Sequence, residues 1–178
     1  MGPLTAFVDT NVIIEHLEGN VDLLDIRERF DALYSNSIVF SEALMVYLRA
    51  LTGERPYTLK HSPDIIRNLS EELLDFPGLF GLFIELEINR AVETLAVEYM
   101  IKYGLLPNDA LIPATRKFYN VRYLISCDSD FVNACESEGT SLIGDPEKRI
   151  SVALECNFLQ RTPLSESFKT PLRSETKE

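Results

Sequence analysis

The chain has 178 residues, 46% hydrophobic and 25% charged, a composition that excludes fibrous and wholly disordered classes and provides for one domain with a real core. Its formal net charge of −11 excludes a protein that coats nucleic acid through phosphate contacts alone, unless its acids converge on divalent cations that invert the local field. No apolar run reaches the roughly 18 residues needed to span a bilayer, and Met1 to Val8 lacks the basic flank of a signal peptide, so no membrane contact is expected.

In chain order, Leu4 to Val8 reads as a buried strand that runs into Asp9-Thr10-Asn11 and a short helix ending at Gly19. From Asp22 to Tyr34, apolar residues at Leu23, Leu24, Ile26, Phe30, Leu33 and Tyr34 fall close to helical spacing and predict one helix. Ser37 to Phe40 reads as a second strand, followed by Ser41-Glu42 and a helix through Leu51. Thr52 to Lys60, with Gly53 and Pro56, reads as a loop, and Ser62-Pro63 opens a helix to about Leu74. After a Pro/Gly break at Phe76 to Gly81 come a third strand, Leu82 to Leu86, and a helix, Asn89 to Tyr103, with Ala91, Leu95, Ala96, Tyr99 and Met100 inward. A helix from Asp109 to about Tyr119, a strand Arg122 to Ser126, a helix Ser129 to Glu138 and a fifth strand Ser141 to Ile143 follow.

This alternation predicts an α/β fold, a three-layer α/β/α sandwich around a central parallel sheet of four to five strands. It is read as one domain over residues 1–160 with a helical insertion at about 52–81. The segment 161–178, rich in Ser, Thr, Pro and charge, is read as a mobile tail.

Ligands of open parallel sheets bind beyond the carboxyl ends of the strands. Asp9 follows the first expected strand, Glu42 the second and Asp128 the fourth, while Asp109 opens a helix on the same edge. Four such acids in one cleft repel one another and call for protons or cations. All-oxygen ligands select hard ions such as Mg²⁺ or Mn²⁺, which activate water and stabilise the oxygens of a phosphodiester. With only His16 and His61 present, a histidine-driven ribonuclease or a zinc hydrolase is disfavoured. Cys127, Cys135 and Cys156 form no CxxC pair, which fits a reducing cytoplasm without disulfides.

Four segments, Phe7-Val8-Asp9-Thr10-Asn11-Val12, Ser41-Glu42-Ala43-Leu44, Asp109-Ala110-Leu111-Ile112-Pro113-Ala114-Thr115 and Leu124-Ile125-Ser126-Cys127-Asp128-Ser129-Asp130-Phe131, together resemble the PIN-domain family of metal-dependent nucleases, which includes the VapC-type toxins. The resemblance covers about residues 4 to 132. It implies that Asp9, Glu42, Asp109 and Asp128 bind Mg²⁺ or Mn²⁺, that Asn11, Ser126 and Asp130 support them, and that the activity is endoribonucleolytic. It further implies an RNA substrate, a homodimer and, for a toxin member, an inhibitory antitoxin. Pro113 stands where the family has a small residue, and Ser126 where it usually has Thr.

Each acid also has a local reading: Asp9, Glu42, Asp109 and Asp130 suit helix caps or first turns, and only their joint arrangement favours a site. His16 is read as a helix-surface residue, Cys127 as a buried inert thiol, and Arg49, Arg55 and Lys60 as solvated. Phe76, Phe80 and Phe83 are read as core or dimer contact rather than a base-stacking platform. Two rival functions are a phosphatase with an aspartyl nucleophile of the haloacid-dehalogenase type, which wants a second acid where Asn11 stands, and a non-catalytic PIN-like module that binds RNA or protein.

Overall fold

The computed structural model describes residues 2–144. Five short strands, β1 (Thr5–Val8), β2 (Ala32–Ser35), β3 (Ile84–Glu85), β4 (Tyr123–Ile125) and β5 (Ser141–Ile143), pair in the order β3-β2-β1-β4-β5, all in parallel. Successive strand residues point to opposite faces. Ala6, Phe7 and Val8 of β1 and Tyr123, Leu124 and Ile125 of β4 are nevertheless all buried. Helices therefore cover both faces, which makes the fold a three-layer α/β/α sandwich with a purely parallel sheet. They are α1 (Thr10–Leu17), α2 (Leu23–Arg29), α3 (Ser37–Thr52), α4 (Pro56–His61), α5 (Pro63–Arg67), α6 (Ser70–Phe80), α7 (Arg90–Tyr103), α8 (Pro107–Phe118) and α9 (Phe131–Ser137). Among the described residues no helix is long and apolar enough to cross a membrane.

The chain builds from β1 through β2 to β3, then crosses back to place β4 on the other side of β1. Strand order thus reverses between β1 and β4, the position where open parallel sheets leave a crevice at their carboxyl edge. Val8 is in register with Ile125, so the next residues, Asp9 and Ser126, emerge side by side. The Asp9 amide donates to the Ile125 carbonyl at 3.0 Å and fixes that pairing.

Several elements differ from the sequence expectation. The helix expected from Asp22 to Tyr34 stops at Arg29, because Phe30 is extended (φ −120°, ψ 145°) and Ala32–Ser35 pairs with β1 as β2. Ser37 to Phe40, expected as a strand, is the first turn of α3. The Asn36 side chain caps it, accepting from the Val39 amide at 3.1 Å. Glu42 accordingly sits on the second turn of a helix, not at a strand end. The loop expected at Thr52 to Lys60 contains α4, started by Pro56, and the following helix is split into α5 and α6. Helix α6 continues through Pro77 to Phe80, where a break was expected, with Phe76 buried against Phe40 and Tyr47. On α7 the buried positions are Val92, Ala96 and Tyr99, and Ala91 is exposed. The expected mobile tail, 161–178, and Cys156 lie outside the described residues.

Asn36 does more than cap. Only 1% exposed, it also donates through Nδ2 to Thr115 Oγ1 on α8 at 3.0 Å, joining α3 to α8 across 79 residues. Asn89 caps α7 through the Ala91 and Val92 amides and is half-buried. Asn89→Ala should therefore cost about 1 kcal/mol, the usual worth of a cap. Asn36→Ala should cost about 2–3 kcal/mol, because a buried partner is also orphaned. At about 2–4 °C per kcal/mol for a chain of this size, thermal unfolding followed by circular dichroism should show the larger drop for Asn36→Ala. Equal drops would mean that the bond to Thr115 contributes nothing.

Candidate active site

The site begins at the reversal of strand order. Asp9, 4% exposed, leaves β1 and caps α1, its Oδ1 accepting from the Thr10 amide at 2.7 Å. Its Oδ2 accepts from Ser126 Oγ, also at 2.7 Å, across the gap from β1 to β4. Ser126 is fully buried, and its hydroxyl further accepts from Asn11 Nδ2 at 3.1 Å and from the Asp128 amide at 3.0 Å. One donor and two lone pairs are all a hydroxyl has, so Ser126 is saturated. Asn11 Oδ1 accepts from the Cys127 amide at 3.1 Å, so its amide group ties α1 to the loop after β4. Asp128 Oδ1 accepts from the Asp130 amide at 2.8 Å, which shapes the turn into α9 and presents Asp128 half-buried and Asp130 exposed.

Glu42 reaches the same edge from α3. Its Oε2 accepts from Thr10 Oγ1 at 2.9 Å and its Oε1 from Asn108 Nδ2 at 2.7 Å. Asn108 and Asp109 follow Pro107 in the first turn of α8, where proline supplies a helical φ and loses no helix bond. Pro113 lacks an N–H, so it cannot close the helix bond onto the Asp109 carbonyl, and the helix start is less tied than usual.

The charges report on one another. Burial is the main force pushing the Asp9 carboxyl up to about 6; the Ser126 and Thr10 bonds pull it down, and the Glu42 and Asp128 carboxylates push it further up. The Asp109 carboxyl is also raised, first by burial and then by Glu42, Asp128 and Asp130, and no hydrogen bond opposes the shift. Asp9, Glu42, Asp109, Asp128 and Asp130 therefore share one field, although only Asp128 and Asp130 come from the same turn. Among the described residues no three His, Cys, Asp or Glu side chains stand close enough to hold an ion as they are. The donor chemistry still fits a hard cation: every candidate ligand is a carboxylate oxygen, and the bonded oxygens of Asp9 and Glu42 keep a second lone pair. Coordination would require these side chains to draw inward.

Other candidates separate from this cluster. His16 Nδ1 lies 3.0 Å from the Val21 carbonyl and 3.3 Å from the Leu23 amide, so it braces the α1–α2 turn. Cys127 is exposed in the loop after β4, contrary to the buried thiol expected. Cys135 is the buried thiol, pushed up to about 11 by burial. Arg49, Arg55 and Lys60 are exposed. Sequence reasoning missed Thr10 and Asn108, the two donors that hold Glu42. Both lay beside recognised acids, but a neutral side chain's long-range partner leaves no trace in spacing. An aspartyl-phosphatase arrangement is not favoured, since Asn11 replaces the second acid and its amide is committed to Ser126 and Cys127.

Comparison with known proteins agrees with this architecture. Residues 6–137 match the PIN domain family. The chain is similar to Ribonuclease VapC2 of Methanocaldococcus jannaschii, 38% identical over 129 residues that cover 70% of this chain and 85% of the relative. It is similar also to Ribonuclease VapC6 of the same organism, 34% identical over 143 residues, 74% of this chain and 93% of the relative. Among solved structures, PAE2754 from Pyrobaculum aerophilum superposes with a TM-score of 0.54 at 15% identity, covering 84% of this chain and 98% of that one. VapBC2 from Rickettsia felis, bound to a DNA fragment from its promoter, gives 0.50 at 16% identity, covering 78% and 96%. At these identities the two structures speak for the fold alone, whereas the sequence matches decide the family: this chain belongs to the PIN domain family.

Proposed function

We propose that the chain is an endoribonuclease that hydrolyses RNA phosphodiester bonds, with Mg²⁺ or Mn²⁺ held by Asp9, Glu42, Asp109 and Asp128. The observation that carries this reading is the buried Asp9 carboxylate at the reversal of strand order, with Glu42 and Asp128 close enough to raise its pKa. Two relatives named as ribonucleases, each more than 30% identical over most of its length, support the same reading.

A divalent ion bound there supplies an activated water and offsets charge on the phosphate. The chain's own residues position the rest. Ser126 and the Thr10 amide hold the Asp9 carboxylate in one rotamer; Thr10 Oγ1 and Asn108 hold Glu42. Asn11 fixes the loop that carries Asp128, and the exposed Asp130 adds negative charge beside Asp109. We extend the reading to partners by resemblance: a homodimer in the cytoplasm and, if the chain is the toxin of a pair, an antitoxin. Residues 1–160 would form the nuclease domain, with 52–81 as its helical insertion.

Removing a ligand should cost at least as much as the 10–100-fold typical of groups that only orient ligands. Asp9→Asn and Asp109→Asn are thus expected to slow cleavage of single-stranded RNA about 100-fold or more in Mn²⁺. Chelation with EDTA should stop the wild type. Variants as active as the wild type would reject the assignment.

Apart from activity, the raised Asp9 pKa makes a stability statement. The folded state holds a proton more tightly than the unfolded chain between pH 3.8 and about 6. Stability from this group is therefore present below pH 3.8 and lost as pH rises through about 6, by on the order of 3 kcal/mol. Asparagine removes that charge but forfeits the Ser126 bond, worth about 1 kcal/mol. Without divalent ions at pH 7.5, Asp9→Asn should melt several degrees above the wild type, and the gap should close towards pH 4. Added Mn²⁺ should raise the melting temperature of the wild type alone. A destabilised Asp9→Asn at pH 7.5 would show that Asp9 is a structural anchor without charge strain.

A further inference from the structure

A hollow of about 500 Å³ opens at the carboxyl ends of β2 and β3, walled by Phe40 of α3, Phe80 at the end of α6 and Phe83. None of the four acids lines it. We infer that this hollow is a nucleobase subsite, which takes an RNA base next to the scissile phosphate and favours bases with an exocyclic amino group. The inference deepens the nuclease reading and rests on it for the substrate class.

Position is the first argument. Phe7 is in register with Tyr34, so Ser35 and Asn36 continue beside Val8 and Asp9, one strand spacing of about 4.8 Å away. Ser35 is paired in turn with Glu85. The hollow thus lies on the same sheet edge as Asp9 and within about two strand spacings of it. A strand of RNA whose phosphate sits at the acids would pass it.

The lining is the second argument. Phe40 and Phe80 meet edge to face with centroids 4.8 Å apart, and Phe80 and Phe83 lie 5.6 Å apart at 52°. All three rings are only half-buried, unlike Phe76, which is sealed in the core behind them and packs on Phe40 at 5.7 Å. The sequence reading of these rings as core is met in full by Phe76, while Phe80 and Phe83 pack against the core and keep one side open. Rings held by a packed second layer and open on one side suit base stacking, which tolerates any sequence because every base has a π-face.

Chemistry is the third. Among the described residues no Lys or Arg lines the hollow, and Glu85, with its exposed carboxylate, is the one charged side chain there, so a phosphate would be repelled. Glu85 can only accept, and it would select amino-bearing bases as carboxylates do when they accept from cytosine N4. Ser35, 2% exposed, makes only a long 3.5 Å bond to the Asn36 carbonyl, which leaves its hydroxyl capacity for a ligand. A flat heterocycle, apolar on its faces and polar at its rim, matches this lining better than an aliphatic side chain from a partner protein.

The test is fluorescence anisotropy of the full chain with labelled hexamers of cytosine, adenine or uracil on neutral methylphosphonate linkages, which remove phosphate contacts and resist cleavage. Cytosine and adenine hexamers should bind about fivefold tighter than uracil. Phe80→Leu, which keeps apolar bulk, should weaken all three about tenfold. Glu85→Gln, which can donate as well as accept, should erase the preference. A wild type that binds no hexamer, as when the hollow receives a protein side chain instead, overturns the inference. So does unchanged binding and preference in both variants at unchanged melting temperature. Should Phe80→Leu fail to fold, Glu85→Gln at its exposed position decides alone. A wild type that cuts RNA but binds no hexamer sinks the subsite and spares the nuclease reading; one that binds hexamers but never cuts RNA sinks the nuclease reading and upholds a base-binding hollow.

Discussion

The hydroxyl of Ser126 donates to the Asp9 carboxylate across the point where the sheet reverses its strand order, and most of what is distinctive about this edge follows from that 2.7 Å contact. Without it, β1 and β4 would still pair through their backbones. Their carboxyl ends, however, would carry a buried charge on one side and an unspent hydroxyl on the other. Because Ser126 also accepts from Asn11 and from the Asp128 amide, one side chain sets the rotamer of Asp9, the path of the loop after β4 and the seat of Asp128. A smaller or apolar residue at position 126 would leave three polar groups unpaired, the buried Asp9 carboxylate at the greatest cost and the half-buried Asn11 and Asp128 donors at a smaller one. Threonine would keep the hydroxyl.

That arrangement runs against stability. A carboxylate 4% exposed, with two more nearby, is a cost that the isolated fold carries without return. The Ser126 and Thr10 bonds offset only part of it, since the Asp9 pKa stays raised. Folded proteins hold such local conflicts chiefly where function requires them. The contrast with Glu138 is instructive. There Tyr103, Lys102 and Lys117 surround a carboxylate, pull its pKa down to about 2 and leave nothing for a ligand to do. Acids at the sheet edge lack any such cationic partner among their described contacts, and this absence of compensation marks them as a set.

How much of this was legible in the sequence depends on the range of the forces involved. Thr5–Val8 and Tyr123–Ile125 announce themselves as short apolar runs because both their faces are buried, so Asp9, Ser126 and Asp128 could be placed from sequence alone. Glu42 was singled out on a mistaken footing: Ser-Ile-Val-Phe looks like a strand by its β-branched residues, yet Asn36 just before it is a strong helix cap. The strand that does exist there, Ala32–Ser35, carries on the helical spacing of Leu23, Ile26 and Phe30 and is revealed only by its pairing with Thr5 to Phe7. Pro77 inside α6 was hidden for a related reason, since the ring contacts of Phe76 outweigh the local preference of proline to end a helix. The bonds from Thr10 and Asn108 to Glu42 span 32 and 66 residues, and no periodicity records them.

The displacement of Glu42 from a strand end to the second turn of α3 changes what that helix does. Residues 40 and 42 lie about 200° apart around a helix of 3.6 residues per turn. Helix α3 therefore carries Glu42 towards Thr10 and Asn108 on one side and Phe40 towards Phe80 on the other. Its start is locked by Asn36, whose side chain binds both the Val39 amide and Thr115 of α8, the helix that carries Asp109 in its first turn. One rigid element thus fixes the spacing between the acidic cluster and the aromatic hollow, and the same asparagine ties that spacing to the helix bearing Asp109. Had Glu42 followed a strand, as the sequence suggested, the cluster and the hollow would have been linked only through the sheet. With α3 between them, a chain threaded along this edge meets charge and then ring faces at a distance set by helix geometry.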